Sequence, residues 1–191
     1  GFWRSIKHYT AKNKLKNVET VDLKKSIEVT TGQNLDWFFK QWVYEPGFPE
    51  YDVSCTYNQR NELLSLRVKQ VQDLKTTSLF KMPINVLIDN GMVEKHVIWV
   101  EDLDSVFKIH TDNRPRMVVF NSGLKVPSNL KMQKSVSDLK YQLVNAPNVL
   151  DRIWASQQLS KKKGRKIVEY ALSESAKRDS FWAVRSEAYS S

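Results

Sequence analysis

A chain of 191 residues that is 41% hydrophobic and 27% charged carries enough apolar content for one folded domain or two small ones, which excludes disorder as its bulk state. No stretch is apolar for long enough to cross a bilayer, and Gly1-Phe2-Trp3-Arg4-Ser5-Ile6 lacks the basic region, apolar core and cleavage site of a secretory leader. The net charge of +9 divides as +2 over residues 1–50, +1 over 51–127 and +6 over 128–191, while the single Cys55 excludes an internal disulfide and a cysteine-rich metal site and leaves the compartment open.

Phe2, Ile6 and Tyr9, with Trp3 beside them, recur at helical spacing with neither an initiator methionine nor a capping residue ahead of them. The expectation is a helix that has lost its beginning. Thr20 is placed as the N-cap of a second helix, with Asp22 in its first turn and Leu23 and Ile27 on one face, ending near Gly32. Asn34 is placed as the cap of a third, whose stripe Leu35, Phe38, Phe39 and Trp42 runs into the breaker Pro46-Gly47-Phe48-Pro49. That breaker is the first domain boundary, and residues 1–45 are expected to pack against the domain on its far side or to expose an unusually apolar surface.

From Tyr51 the period becomes two, with Tyr51, Val53, Cys55 and Tyr57 alternating against Asp52, Ser54, Thr56 and Asn58. Further strands are read at Leu63–Val71, Leu79–Ile88, Met92–Val100, Val106–His110 and Met117–Phe120, with Asp89-Asn90-Gly91 as a tight hairpin signal. A small antiparallel sandwich fits this spacing, and one of this size fills its interior with its own side chains, so a spacer role is the default.

After Gly123 and Pro127 the helical period returns in four stripes: Val136, Leu139 and Leu143; Leu150, Ile153, Trp154 and Leu159; Ile167, Val168, Ala171 and Leu172; Phe181, Val184 and Ala188. Arg152-Ile153-Trp154-Ala155 and Arg185-Ser186-Glu187-Ala188 share an Arg-x-x-Ala pattern 33 residues apart, the length of one helical pair in a solenoid. So few repeats would be uncapped, and the parent protein is expected to continue past Ser191.

Chemistry is sparse along this chain. A zinc site needs three or four converging ligands, and His8, His96 and His110 fall in separate elements. Glu94 with His96, and His110 with Asp112, are pairs able to orient an imidazole as a base, but no nucleophile stands beside either. Cys55 alternates inward and reads as a buried, inert thiol. The basic run Lys161-Lys162-Lys163-Gly164-Arg165-Lys166 is placed on a helix–helix turn, where it keeps the surface soluble and complements the helix dipole. The aromatic residues Trp37, Phe38, Phe39 and Trp42 are read as packing residues and not as a base-stacking platform. No catalytic, cofactor-binding or metal residue is assigned, nor a nucleic-acid partner.

Asn17-Val18-Glu19-Thr20-Val21-Asp22-Leu23, Gly32-Gln33-Asn34-Leu35-Asp36-Trp37-Phe38-Phe39-Lys40-Gln41-Trp42 and Gly47-Phe48-Pro49 resemble, in order and spacing, the segment that closes the catalytic domain in the aminopeptidase N family of zinc metallopeptidases. Leu66-Arg67-Val68-Lys69-Gln70 and Phe80-Lys81-Met82-Pro83 are similar to that family's first sandwich strands. Arg152-Ile153-Trp154-Ala155 and Trp182-Ala183-Val184-Arg185-Ser186-Glu187-Ala188 resemble the start of its helical repeats. The resemblance implies an α+β multidomain fragment. Residues 1–49 would be terminal helices of a thermolysin-like domain, 50–127 a β-sandwich, and 128–191 the beginning of a HEAT-like α-helical repeat domain. It further implies a parent that removes N-terminal residues from peptides, using Zn2+ held by an H-E-x-x-H helix and a later glutamate. Those motif positions would lie before Gly1, in the missing catalytic domain, so no functional residue transfers to this sequence. The alternative is a peptidase-like protein without zinc that serves as a protein-binding scaffold.

Overall fold

The computed structural model describes residues 1–162 and 164–191. They form two compact units, one of residues 1–47 with 74–78, the other of residues 48–73 with 79–191.

The first unit is helical. α1 spans Phe2–Lys12 and α2 spans Thr20–Thr31. They meet through small hydroxyl side chains: Ser5 and Ser26 are buried, and the Ser5 and Thr30 hydroxyls lie 2.5 Å apart. α2 begins at Thr20 itself, one residue before the expected start, because Glu19 is the cap and its backbone N–H donates to Asp22 Oδ2 at 3.0 Å. α3, Asp36–Phe39, is capped by Leu35 and not by the expected Asn34, whose Oδ1 accepts from the Asp36 N–H at 2.9 Å in a turn one residue ahead of the cap. It passes into a π-helical turn over Lys40–Tyr44, closed by the Glu45 N–H on the Lys40 carbonyl at 2.9 Å. The wider turn breaks the expected stripe: Phe39 and Gln41 are buried, Trp42 is half-buried and Phe38 is exposed. Phe2, Trp3, Leu15, Val29, Val43 and Tyr44 are exposed, which meets the expectation of an apolar surface on these residues.

The second unit opens with strands. β1 (Glu50–Asn58), β2 (Leu63–Gln70) and β5 (Asp104–His110) pair antiparallel, with Val53 opposite Val68 and Leu64 opposite Ile109. β3 (Met82–Asp89), β4 (Val93–Val100) and β6 (Met117–Phe120) form a second antiparallel sheet in the order β4-β3-β6. A seventh strand, β7 (Asn129–Met132), joins the first sheet parallel to β1, Glu50 against Asn129, giving the order β5-β2-β1-β7. The architecture is therefore α+β with two sheets that are mostly, and not wholly, antiparallel. The sheets face one another through Tyr51 and Phe120, both buried, with rings edge-on at 5.2 Å.

Local chemistry sets the strand limits. β3 starts three residues after the expected Leu79, because the Gln70 side chain takes over the backbone of Phe80: its Oε1 accepts from the Phe80 N–H at 2.9 Å and its Nε2 donates to the Phe80 carbonyl at 2.8 Å. The β3–β4 turn is the three residues Asn90, Gly91 and Met92, with Gly91 at φ +122°. β6 is buried at every position, since its outer face packs on a helix: Leu87, Met117 and Val119 cluster with Ala146 and Tyr141.

Four helices complete the unit: α4 (Val136–Asn145), α5 (Val149–Ser160), α6 (Lys166–Arg178) and α7 (Trp182–Ser190). Their core is Leu139, Leu143, Ala155, Leu159, Val168, Leu172, Val184 and Ala188, close to the four expected stripes. Leu150, Ile167 and Phe181, at or beside the first residues of their helices, are exposed instead. The 33-residue pattern has a geometric counterpart. Arg152 Nη1 donates to the carbonyl of Ala146, the residue that caps α4, at 3.0 Å, and Arg185 Nη1 donates to that of Asp179, which caps α6, at 2.9 Å. Ala155 and Ala188 are both buried one turn later. Among the described residues no helix is long and apolar enough to cross a membrane.

Candidate functional site

Because β2 and β5 are antiparallel neighbours, the start of one meets the end of the other, and Glu62 arrives beside His110 from 48 residues away. His110 Nε2 lies 3.3 Å from Glu62 Oε2, and its Nδ1 lies 3.8 Å from Asp112 Oδ1. All three side chains are exposed, and each offers a ligand atom within 4.8 Å of the others. The sequence paired His110 with Asp112 and missed Glu62, for which strand pairing was the only signal. The trio offers one imidazole and two carboxylates, and among the described residues no second histidine or cysteine joins them. His96 Nε2 faces Glu94 Oε2 at 3.2 Å along β4, and His8 is half-buried on α1 with Nδ1 enclosed and unpartnered among the described residues.

Inside the second unit a cavity of about 110 Å³ is lined by Cys55 and Tyr57 of β1, Arg114, Arg116 and Met117 around the start of β6, and Lys134. Burial pushes the Cys55 thiol up to about 11, with Lys134 partly opposing it, so at neutral pH the sulfur carries its proton and is a poor nucleophile. Burial pushes Lys134 down to about 8, against the pull of Cys55, Asp138 and Asp151. Its ammonium donates to the Val118 carbonyl and to Gln142 Oε1, both at 2.5 Å, and lies 5.4 Å from the Trp154 ring. Gln142 Nε2 passes the network to the Asp151 carbonyl at 2.8 Å, and the Asp151 carboxylate accepts from Ser122 Oγ at 2.6 Å and the Gly123 N–H at 2.8 Å. With its donors directed to these partners, Lys134 fastens β6 to α4 and α5. No sequence pattern distinguished it from the other lysines.

The aromatic helix places Trp37 edge-on to Phe38 at 5.8 Å and Phe38 to Phe39 at 5.9 Å, a packed series rather than parallel plates. Of the basic run, Lys161 caps α5, Arg165 caps α6 and Lys166 is the first residue of α6; Lys163 lies outside the described residues.

Among solved structures, the crystal structure of Legionella pneumophila aminopeptidase A in complex with aspartic acid is similar, with a TM-score of 0.77 and 20% sequence identity over 96% of this chain. The chain spans 23% of that structure's length. No protein-family model and no curated protein matches this sequence. At this identity the likeness shows the fold, which is aminopeptidase-like.

Proposed function

We propose that this chain is the non-catalytic carboxy-terminal portion of a zinc-dependent aminopeptidase that removes N-terminal residues from peptides, and that it serves there as structural spacer and scaffold. The carrying observation is that 96% of the chain shares its fold with part of an aminopeptidase structure, while its own histidines lie on separate elements. The motif resemblance over residues 17–49 supports the aminopeptidase N family in particular. On this reading residues 1–49 close the catalytic domain, 50–127 are the β-sandwich and 128–191 open a HEAT-like repeat domain, in which the equivalent Arg152 and Arg185 contacts mark successive repeats. The exposed Phe2, Trp3 and Tyr44 are then the face that meets the catalytic domain. Zn2+ and the peptide substrate belong to that domain, and this chain holds neither.

The test is the coding sequence preceding Gly1, read for H-E-x-x-H, together with zinc content and chelator-sensitive aminoacyl-anilide hydrolysis by the protein it encodes. Motif, metal and turnover together are expected. A peptidase-like sequence there without the motif would replace the enzyme reading with that of a zinc-free binding scaffold, and an unrelated sequence would overturn both.

A further inference from the structure

The hairpin signal Asp89-Asn90-Gly91 carries a second chemistry. An asparagine side-chain amide lies within reach of the backbone nitrogen of the residue that follows it, and a glycine there removes the Cβ that would obstruct the approach. Asn90-Gly91 is the only Asn-Gly pair in the chain. Gly91 is exposed between β3 and β4 at φ +122°, and a Cβ built on it would meet nothing within 4 Å.

The folded turn adds a group at each end of that reaction. The Gly91 N–H, whose nitrogen is the nucleophile, donates to Asp89 Oδ1 at 3.0 Å, within the reach of a general base. Asp89 is itself fixed: it is 6% exposed, the Tyr141 hydroxyl donates to its Oδ2 at 2.9 Å, and its carbonyl accepts from the Arg116 N–H at 2.7 Å. On the electrophile, Asn90 Oδ1 accepts from the Met92 N–H at 3.4 Å. Negative charge develops on that oxygen when the nitrogen attacks, so the Met92 N–H is an oxyanion donor, long in the ground state and free to tighten.

We propose that Asn90 is a self-modification site, at which the turn cyclises to a succinimide and reopens as aspartate or isoaspartate. The Gly91 nitrogen bonds to Asn90 Cγ while its proton passes to Asp89 Oδ1. The Cγ–Nδ2 bond then breaks, and the departing nitrogen takes that proton from Asp89 and leaves as ammonia. Water opens the ring, at Cγ to give aspartate or at the main-chain carbonyl carbon of Asn90 to give isoaspartate, whose backbone runs through the former side chain. Either product carries one more negative charge than Asn90. The turn alone supplies these groups, so the site is independent of the aminopeptidase reading.

Ageing the 191-residue chain in mildly alkaline buffer, with conversion at Asn90 followed by peptide mapping and isoaspartate quantitation, tests it. Conversion is expected to run roughly tenfold faster in the folded chain than in the same chain unfolded in urea, because the base and the oxyanion donor are in place only in the folded turn. Asp89→Ala should bring the folded rate down to the urea rate, and Tyr141→Phe, which releases the carboxylate from its second partner, should slow it several-fold. In urea the three chains should convert alike, which separates a loss of chemistry from a change in the chain's intrinsic lability. If Asp89→Ala perturbs the fold, Tyr141→Phe decides alone. Conversion no faster folded than unfolded, or equal folded rates in the native and Tyr141→Phe chains, would overturn the proposal, since Asn90-Gly91 would then age by its sequence and not by its turn.

Discussion

Lys134 shows how one side chain ties protonation to folding. Its ammonium is pushed down to about 8 in the folded chain from an ordinary value of 10.5, so the unfolded chain binds the proton more tightly. Below about pH 8 both states are charged and the cost of burying the ammonium is constant. As pH rises from about 8 to 9 the folded state sheds its proton first, and stability should rise. Above about pH 9 Cys55 acts in the opposite direction: the unfolded thiol ionises near its ordinary 9.0 while the folded one waits until about 11, which offsets the Lys134 gain, so the climb should level off. Urea midpoints across this range should climb between pH 8 and 9 in the native chain and stay flat there in Lys134→Met. Equal slopes in the two chains would show that another group controls the rise.

Between elements, the joints are polar and directional. Asp179 is the buried partner of the Arg152 fork, with side chains only 8% and 11% exposed, so Asp179→Ala strands a guanidinium inside the helical core and should cost about 3–5 kcal/mol. Arg185→Ala, which removes partly exposed bonds to the Asp179 and Ser180 carbonyls, should cost about 1 kcal/mol. Urea denaturation separates the two; comparable losses would remove the distinction between a buried pair and a capping contact. In the helical first unit, Gly47 ends the segment after the π-helical turn at φ +91°, and a Cβ there would run into the Thr77 side chain. Gly47→Ala should destabilise by roughly 2 kcal/mol or more, combining backbone strain with the clash. Adding Thr77→Ala should recover the steric share and leave the backbone share, and full recovery would show that the φ value is not the constraint.

For the whole molecule, the expected chemistry is subtractive. The 191-residue chain should bind no stoichiometric zinc and hydrolyse no aminoacyl-anilide, because Glu62, His110 and Asp112 offer one exposed imidazole set between two acids. Zinc titration by calorimetry, with a parallel anilide assay and a chelator control, checks both. Tight binding lost in His110→Ala, with turnover, would make the trio a working centre. The exposed Phe2, Trp3, Leu15 and Tyr44 make a second expectation at this scale: the isolated chain should self-associate more readily than a variant with Trp3→Ser and Tyr44→Ser, as light scattering would record.

Periodicity alone located β1, β2, β4, β5 and β6 and the four C-terminal helices, because an element that buries one face must repeat its apolar residues at its own period. Turn chemistry located Asn34 at the entry to α3, one residue ahead of the Leu35 cap, since an Asx side chain reaches only its near neighbours in sequence. β7 escaped because Asn129-Leu130-Lys131-Met132 is short and pairs parallel with a strand 79 residues earlier, a partner that no local pattern encodes. Gln41 was hidden by the π-helical turn, whose extra residue rotates the burial off a 3.6-residue stripe. Cys55 was legible as an inward thiol, but Lys134, Gln142 and Asp151 were not legible as the network joining β6 to the helices. Composition and period report which face of an element is apolar. Which polar group meets which depends on distances set only after the sheets and helices have packed.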